Sequence, residues 1–233
     1  MTEYSGKTAK IHYRKRGKRV DMPAIPKLMD TQEEDAQAMV DFGRLMIHSE
    51  AGTGKTLTAL RAVELMQRGL DYLPQVIIFC PLNAVMNWLE WSVSFSDDRE
   101  LGWEVQLIEN GKDIIHPDAT ILVCKYGTIS QKNCAILHHL VEWKADAIIM
   151  DESDNACSET SRRGQNLHHV LLKGRDDMGI WPMTGTPIRR YSDDLALPLL
   201  TMYPKELKVK GINSRAGFKA QFCKVRMMKL PHM

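Results

Sequence analysis

Residues 45–56 read Leu45-Met46-Ile47-His48-Ser49-Glu50-Ala51-Gly52-Thr53-Gly54-Lys55-Thr56, and Leu57, Leu60, Val63 and Met66 follow at helical spacing. An apolar run, a glycine-rich octet and an amphipathic stretch, in that order, predict a strand, a phosphate-binding loop and a helix over 57–68. Small residues allow the backbone N–H groups from Gly52 through Thr53 and Gly54 to Thr56 to converge on phosphate oxygens. The helix that follows puts its positive end behind them. In such a loop Lys55 reaches the β- and γ-phosphates as a point charge, and the Thr56 hydroxyl ligates magnesium. Ser49 stands where the general pattern has its first glycine, but the interior Gly52 and Gly54 are kept.

Outward from this loop the pattern repeats. Val76-Ile77-Ile78-Phe79, Ile121-Leu122-Val123-Cys124 and Ala147-Ile148-Ile149-Met150 are short, nearly continuous apolar runs separated by helical stretches. Strands of that kind belong to a parallel sheet covered on both faces, so the fold expected is α/β, a three-layer parallel sheet. A helix is expected to open at Thr31 as N-cap, with Ala36, Met39, Val40 and Phe42 as its apolar positions. Three segments are expected: a basic N-terminal arm (1–24), a lobe that carries the phosphate-binding loop (25–204) and a basic C-terminal helical extension (205–233).

Composition sets the outer limits. The chain has 233 residues, 44% hydrophobic and 26% charged, which excludes disorder and collagen-like repeats. No apolar run approaches the roughly 18 residues that span a bilayer, so no membrane partner is expected, and a cytoplasmic or nucleoid-associated location is, rather than secretion. The net charge of +2 hides an asymmetry: residues 1–20 carry +6 and residues 205–233 carry +7, leaving −11 for the body. Basic ends on an acidic body suit contact with a polyanion, although such runs also serve as solvated tails. Five scattered cysteines without a CxxC pair read as reduced, partly buried thiols. Cys134, His138 and Glu142 share a helix face on paper, but no second cluster completes a metal site.

A second chemical element lies after the run 147–150, where Asp151-Glu152 follow directly. Ligands sit at the C-terminal ends of strands in open α/β sheets, and this strand delivers both carboxylates there. Asp151 is the candidate to hold magnesium, and Glu152 the candidate to orient and deprotonate an attacking water. Adjacent acids after a strand also occur as plain turn residues. The spatial expectation is that the Thr56 hydroxyl and the Asp151 side chain converge on one metal ion.

With Thr184-Gly185-Thr186-Pro187 in view, the set resembles superfamily-two helicases, and most closely the Swi/Snf-like DNA translocases. The resemblance runs from about residue 25 to 225. Gln32 matches the adenine-recognising glutamine upstream of motif I, and Ser49 to Thr56 match motif I. Cys80-Pro81-Leu82-Asn83 with Asn87-Trp88 is similar to motif Ia. Val123 to Tyr126 resembles the strand ending in tyrosine before motif II. Asp151-Glu152-Ser153-Asp154 sits at the acidic box, with Ser158 and Arg162-Arg163 after it. Thr184 to Pro187 match motif III, and Phe218 with Phe222-Cys223 resembles the helix that closes the first lobe.

The resemblance implies the first RecA-like lobe of a P-loop NTPase, using ATP and magnesium. Lys55, Asp151 and Glu152 are then catalytic. Gln32, Gly52, Thr53, Gly54, Lys55 and Thr56 bind the nucleotide, and Thr184, Gly185 and Thr186 couple nucleotide state to grip on DNA. Asn83, Asn87, Lys125 and Tyr126 face a sugar–phosphate backbone, with helix capping or core packing as the alternative for each. DNA, duplex and read without sequence preference, is the implied partner. A second RecA-like lobe, in the same longer chain or in a partner, completes the motor, and without it the chain is expected to turn ATP over very slowly.

Three departures bear on this. Asp154 stands where the family carries histidine, which adds a like charge beside Asp151 and Glu152 and removes a link to motif III. Cys157 replaces a common lysine. Pro182 interrupts the strand before Thr184 and is expected at an edge or bulge. The alternative function is a catalytically weakened lobe that serves as a nucleotide-sensitive DNA- or protein-binding module. A P-loop kinase or GTPase leaves motif III and Asn87-Trp88 unexplained, and an RNA substrate remains open beside DNA.

Overall fold

Val76–Cys80 has all five residues buried, and only a strand between two neighbours, covered on both faces, hides consecutive side chains in this way. The computed structural model describes residues 24–50, 52–132, 134–156, 161–186, 195–212 and 214–223. Among the described residues six strands form one sheet: β1 (Ile47–His48), β2 (Val76–Cys80), β3 (Val105–Ile108), β4 (Ile121–Lys125), β5 (Ala147–Met150) and β6 (Gly179–Thr184). Their order is β1-β6-β5-β2-β4-β3, and every described pairing is parallel. Ala51, Cys157, Ser158 and Pro187, and the basic arm up to residue 23, lie outside the described residues.

Side chains alternate across the sheet and divide the core in two. Val76, Ile78, Val123, Ile149 and Trp181 face one helical layer: α1 (Asp30–Phe42), α2 (Lys55–Gln67) and α3 (Val85–Asp98). Ile77, Phe79, Leu122, Ile148 and Met150 face the other, built largely from α4 (Ile136–Glu142) and α5 (Arg162–Lys173). The three-layer α/β arrangement is therefore as expected. Helices α6 (Ala196–Met202), α7 (Pro204–Val209) and α8 (Arg215–Phe222) gather a small further core around Ala196, Leu200, Ile212 and Phe218.

Helix α2 shows why the pattern was readable. Leu57, Leu60 and Val63 are buried on the sheet, each contributing on the order of 2 kcal/mol. That outweighs differences of a few tenths in helix propensity. Helix α1 departs from expectation at both ends. It opens after Met29 rather than at Thr31, because the Gln32 side chain reaches back to the Met29 N–H at 2.8 Å. Phe42, expected in the core, is 72% exposed. Strand β3 was not anticipated: four residues at a sheet edge carry too little periodicity.

Pro182 is also corrected. It sits in β6, which pairs with β5 on one side and β1 on the other, so it is not on an edge strand. Main-chain groups alternate sides along a strand, and those of Ile180 point to β1, bonding Gly43 and Leu45 at 2.9 and 3.2 Å. Two residues on, the Pro182 nitrogen faces the same way. It has no hydrogen to offer the next carbonyl of β1, so only β1 bears the loss. The pairing there accordingly splits into a bridge at Arg44 and the two-residue strand Ile47–His48.

Candidate nucleotide site

The glycine loop, the Asn83–Asn87 segment, the acid pair and motif III each come after the C-terminal end of a strand. The loop after β1 is shaped by Gly52 and Gly54, both at φ of 83°. A Cβ on Gly54 would lie 2.3 Å from the Gln32 amide nitrogen. Glycine is thus required twice over there, by backbone conformation and by closeness. Gln32 donates to the Thr53 carbonyl at 2.9 Å, which ties α1 to the loop. The Thr53 hydroxyl bonds Ser49 Oγ at 2.9 Å and the Glu50 carbonyl at 2.8 Å, so the serine that replaces glycine serves as an internal strut. Lys55 Nζ donates to the Ser49 and Glu50 carbonyls at 2.8 and 2.9 Å and closes the loop upon itself. Thr56 is half-buried in the first turn of α2.

The carboxylates follow β5, separated from β1 by β6 alone. Asp151 is held from three elements. Its N–H donates to Phe79 of β2 at 2.8 Å, its carbonyl accepts from the Tyr126 hydroxyl at 2.9 Å, and its Oδ2 accepts from Trp88 Nε1 at 2.8 Å. Burial pushes the Asp151 carboxyl above its ordinary value. The Trp88 indole, the Glu152 N–H and the charge of Lys55 oppose that rise, and the charge of Asp154 adds to it. The repulsion from Asp154 expected from sequence is present, and Lys55 acts on the same group. Glu152 is partly exposed with φ of 47°, a left-handed conformation that costs a non-glycine residue roughly 1–3 kcal/mol.

Motif III is joined to both neighbours. The Thr186 N–H donates to Thr184 Oγ1 at 3.1 Å, and the Thr186 hydroxyl donates to Asp154 Oδ2 at 3.3 Å. His48 Nε2 lies 3.2 Å from the Gly185 carbonyl oxygen. Asp154 therefore makes a link to motif III, correcting the expectation that an acid there removes it: a hydroxyl can donate to a carboxylate as well as it accepts from an imidazole.

The nucleic-acid candidates separate. Asn83 and Asn87 are exposed before and within the first turn of α3, although Asn87 Oδ1 already accepts from Trp91 Nε1 at 3.0 Å. Lys125 is partly exposed at the end of β4. Tyr126 is 2% exposed, stacks near Phe79 and donates its hydroxyl to the Asp151 carbonyl, which fits the core-packing alternative and not a ring facing a sugar–phosphate backbone. The Arg163 guanidinium lies 5.9 Å from its ring centroid.

Sequence reasoning placed Trp88 only in the motif Ia resemblance, with no link to Asp151, and gave no role to His48. A tryptophan in the first turn of the helix after β2, beside the strand that carries Asp151, was the available signal. The cysteines expected as thiols are free among the described residues. The Cys134–His138–Glu142 face does not form: Cys134 precedes α4 and bonds the Thr128 carbonyl, while His138 pairs with Glu142 at 3.2 Å. No cluster of three metal-ligating side chains occurs among the described residues, and no described helix is long and apolar enough to cross a membrane.

A sequence profile of the SNF2-related domain matches residues 34–224. Among solved structures the chain is similar to the Sulfolobus solfataricus SWI2/SNF2 ATPase core in complex with dsDNA, with a TM-score of 0.67 and 20% identity, covering 85% of this chain and 39% of that one. It is also similar to the Sulfolobus solfataricus SWI2/SNF2 ATPase core domain, with a TM-score of 0.63 and 20% identity, covering 85% and 38%. The chain thus spans less than half the length of either structure. No curated protein matches.

Proposed function

The chain belongs to the family of SNF2-related domains, and from that premise we propose that it is the ATP-binding lobe of a DNA-dependent ATPase that couples hydrolysis to movement along nucleic acid. One observation carries the reading: the glycine loop closed by Lys55 and the Asp151 carboxylate anchored by β2, Tyr126 and Trp88 both follow the C-terminal ends of strands in one parallel sheet.

The residues fit Mg-ATP. Lys55 exchanges its two carbonyl partners for β- and γ-phosphate oxygens, and the N–H groups from Gly52 to Thr56 line the phosphates. Thr56 and Asp151 offer oxygen donors of the kind a hard cation takes. When bound, magnesium supplies charge neutralisation at the phosphates. An amide has two donors and two acceptor sites, so Gln32 keeps one of each for adenine beyond its bonds to Thr53 and Met29. Glu152 orients water and takes its proton at the carboxylate as the water oxygen bonds the γ-phosphorus and the bond to the ADP oxygen breaks.

Thr184, Gly185 and Thr186 are proposed to report nucleotide state, through Asp154, to Asn83, Asn87 and Lys125 on duplex DNA. Contacts to the backbone would be sequence-independent and salt-sensitive. A second RecA-like lobe is the proposed partner, and an arginine from it contributes about a thousand-fold or more to turnover. The rival reading, a weakened binding module, drew on Asp154, and the Asp154–Thr186 hydrogen bond supports the motor instead. ATPase assays on the longest natural reading frame, with and without duplex DNA and with Lys55→Ala as control, test this. DNA-stimulated hydrolysis that Lys55→Ala abolishes is expected. Nucleotide binding without turnover in the intact protein would leave the binding module.

A further inference from the structure

We propose that Trp88 is a positioning residue for Asp151, its indole N–H committing one carboxylate oxygen so that the side chain keeps a single orientation in the nucleotide site. The proposal deepens the reading above and rests on it. Trp88 has no exposed surface, and a buried indole N–H requires an acceptor. Two other buried tryptophans choose acceptors away from the site: Trp103 donates to Gln67 Oε1 at 2.6 Å, and Trp181 to the Met39 carbonyl at 3.0 Å. Trp88 alone of these three spends its donor on a carboxylate, at 2.8 Å.

The geometry is over-determined. Asp151 is fixed at its N–H by Phe79 and at its carbonyl by Tyr126, so the main chain is set by the sheet and by one phenol. The side-chain torsion is set separately by an indole brought in by α3. Packing holds that indole rigid, since α3 buries Val85, Trp88, Leu89 and Phe95. Partners that orient a metal-binding side chain typically govern 10–100-fold in metal affinity or activity.

The test uses the full 233-residue chain and two single variants: Trp88→Phe and Trp103→Phe. Affinity for a fluorescent ATP analogue is measured in excess magnesium and in EDTA, Mn2+ uptake is followed by electron paramagnetic resonance, and circular dichroism checks folding. Trp88→Phe is expected to lose about 10–100-fold of the metal-dependent gain in affinity and to weaken Mn2+ uptake in step, with affinity in EDTA unchanged. Trp103→Phe, which also removes a buried indole donor, is expected to keep the full gain. An unchanged gain in Trp88→Phe, or an equal loss in Trp103→Phe, would overturn the proposal. If Trp88→Phe does not fold, the indole N–H resonances of the wild-type chain decide: a Trp88 signal that shifts when magnesium joins the bound analogue, with that of Trp103 unmoved, supports positioning, and an unmoved Trp88 signal overturns it. Wild-type chain that binds the analogue without any metal-dependent gain removes the nucleotide-site reading itself.

Discussion

The hydroxyl of Thr186 donates to the carboxylate of Asp154 at 3.3 Å, and this hydrogen bond ties the turn after β6 to the short 3-10 segment after β5. Thr186→Val keeps the shape and removes the donor. At this exposed position the expected stability loss is about 1 kcal/mol or less. ATP affinity is expected to hold, while DNA stimulation of turnover in the two-lobe enzyme proposed above falls about ten-fold, equivalent to ~1.4 kcal/mol in the barrier. Steady-state ATPase rates against DNA concentration measure this. Undiminished stimulation would remove the bond from the coupling path.

Gly54 carries two separable costs. Its φ of 83° is unfavourable for alanine, and the new Cβ would press on the Gln32 amide. Gly54→Ala is expected to lower the unfolding free energy by about 1–2 kcal/mol and to weaken nucleotide binding. Gln32→Ala added to it relieves the contact but not the backbone strain, so a double-mutant cycle by urea denaturation should show partial recovery. Strict additivity would mean the two residues do not meet.

Glu64 is the buried hub of a charge cluster on α2, with only 6% of its side chain exposed. Arg61, Arg68 and Arg99 approach it at 2.8, 2.7 and 2.8 Å. Burial alone pushes its carboxyl up, but the Arg61 hydrogen bond and the three guanidinium charges overcome that and hold it below the usual range. A lowered folded value means that the unfolded chain binds the proton more readily. The stabilisation is thus complete above the unfolded value and is lost as pH falls through the folded one. Glu64→Gln is expected to cost about 2 kcal/mol at neutral pH, less than a fully buried pair because Arg68 and Arg99 reach water. Denaturant midpoints between pH 7 and pH 3 should fall less steeply in the variant than in the wild type.

Cys80 and Cys124 are buried, and burial raises both thiols, Cys80 to about 12 with a further push from Asp151. The thiolate is the reactive form, so iodoacetamide at pH 8 is expected to label neither until the chain unfolds. Peptide mass mapping of native and urea-treated protein checks this, and rapid native labelling of Cys80 would contradict the packing around Asp151.

The sequence by itself determined the alternation of apolar strands and amphipathic helices, the glycine loop and the acid pair, because these rest on local periodicity and on residue chemistry within a few positions. It also placed the glycine loop, Asp151 and motif III after strands, since an apolar run comes before each. Tertiary structure alone decided that β6 lies between β1 and β5, that Pro182 loses its ladder bond only toward β1, and that Tyr126 turns inward. It likewise chose Trp88 as the partner of Asp151 across 63 residues. Strand order and side-chain torsion are settled by which surfaces pack together, and residues far apart in the chain register that choice only once the sheet has formed.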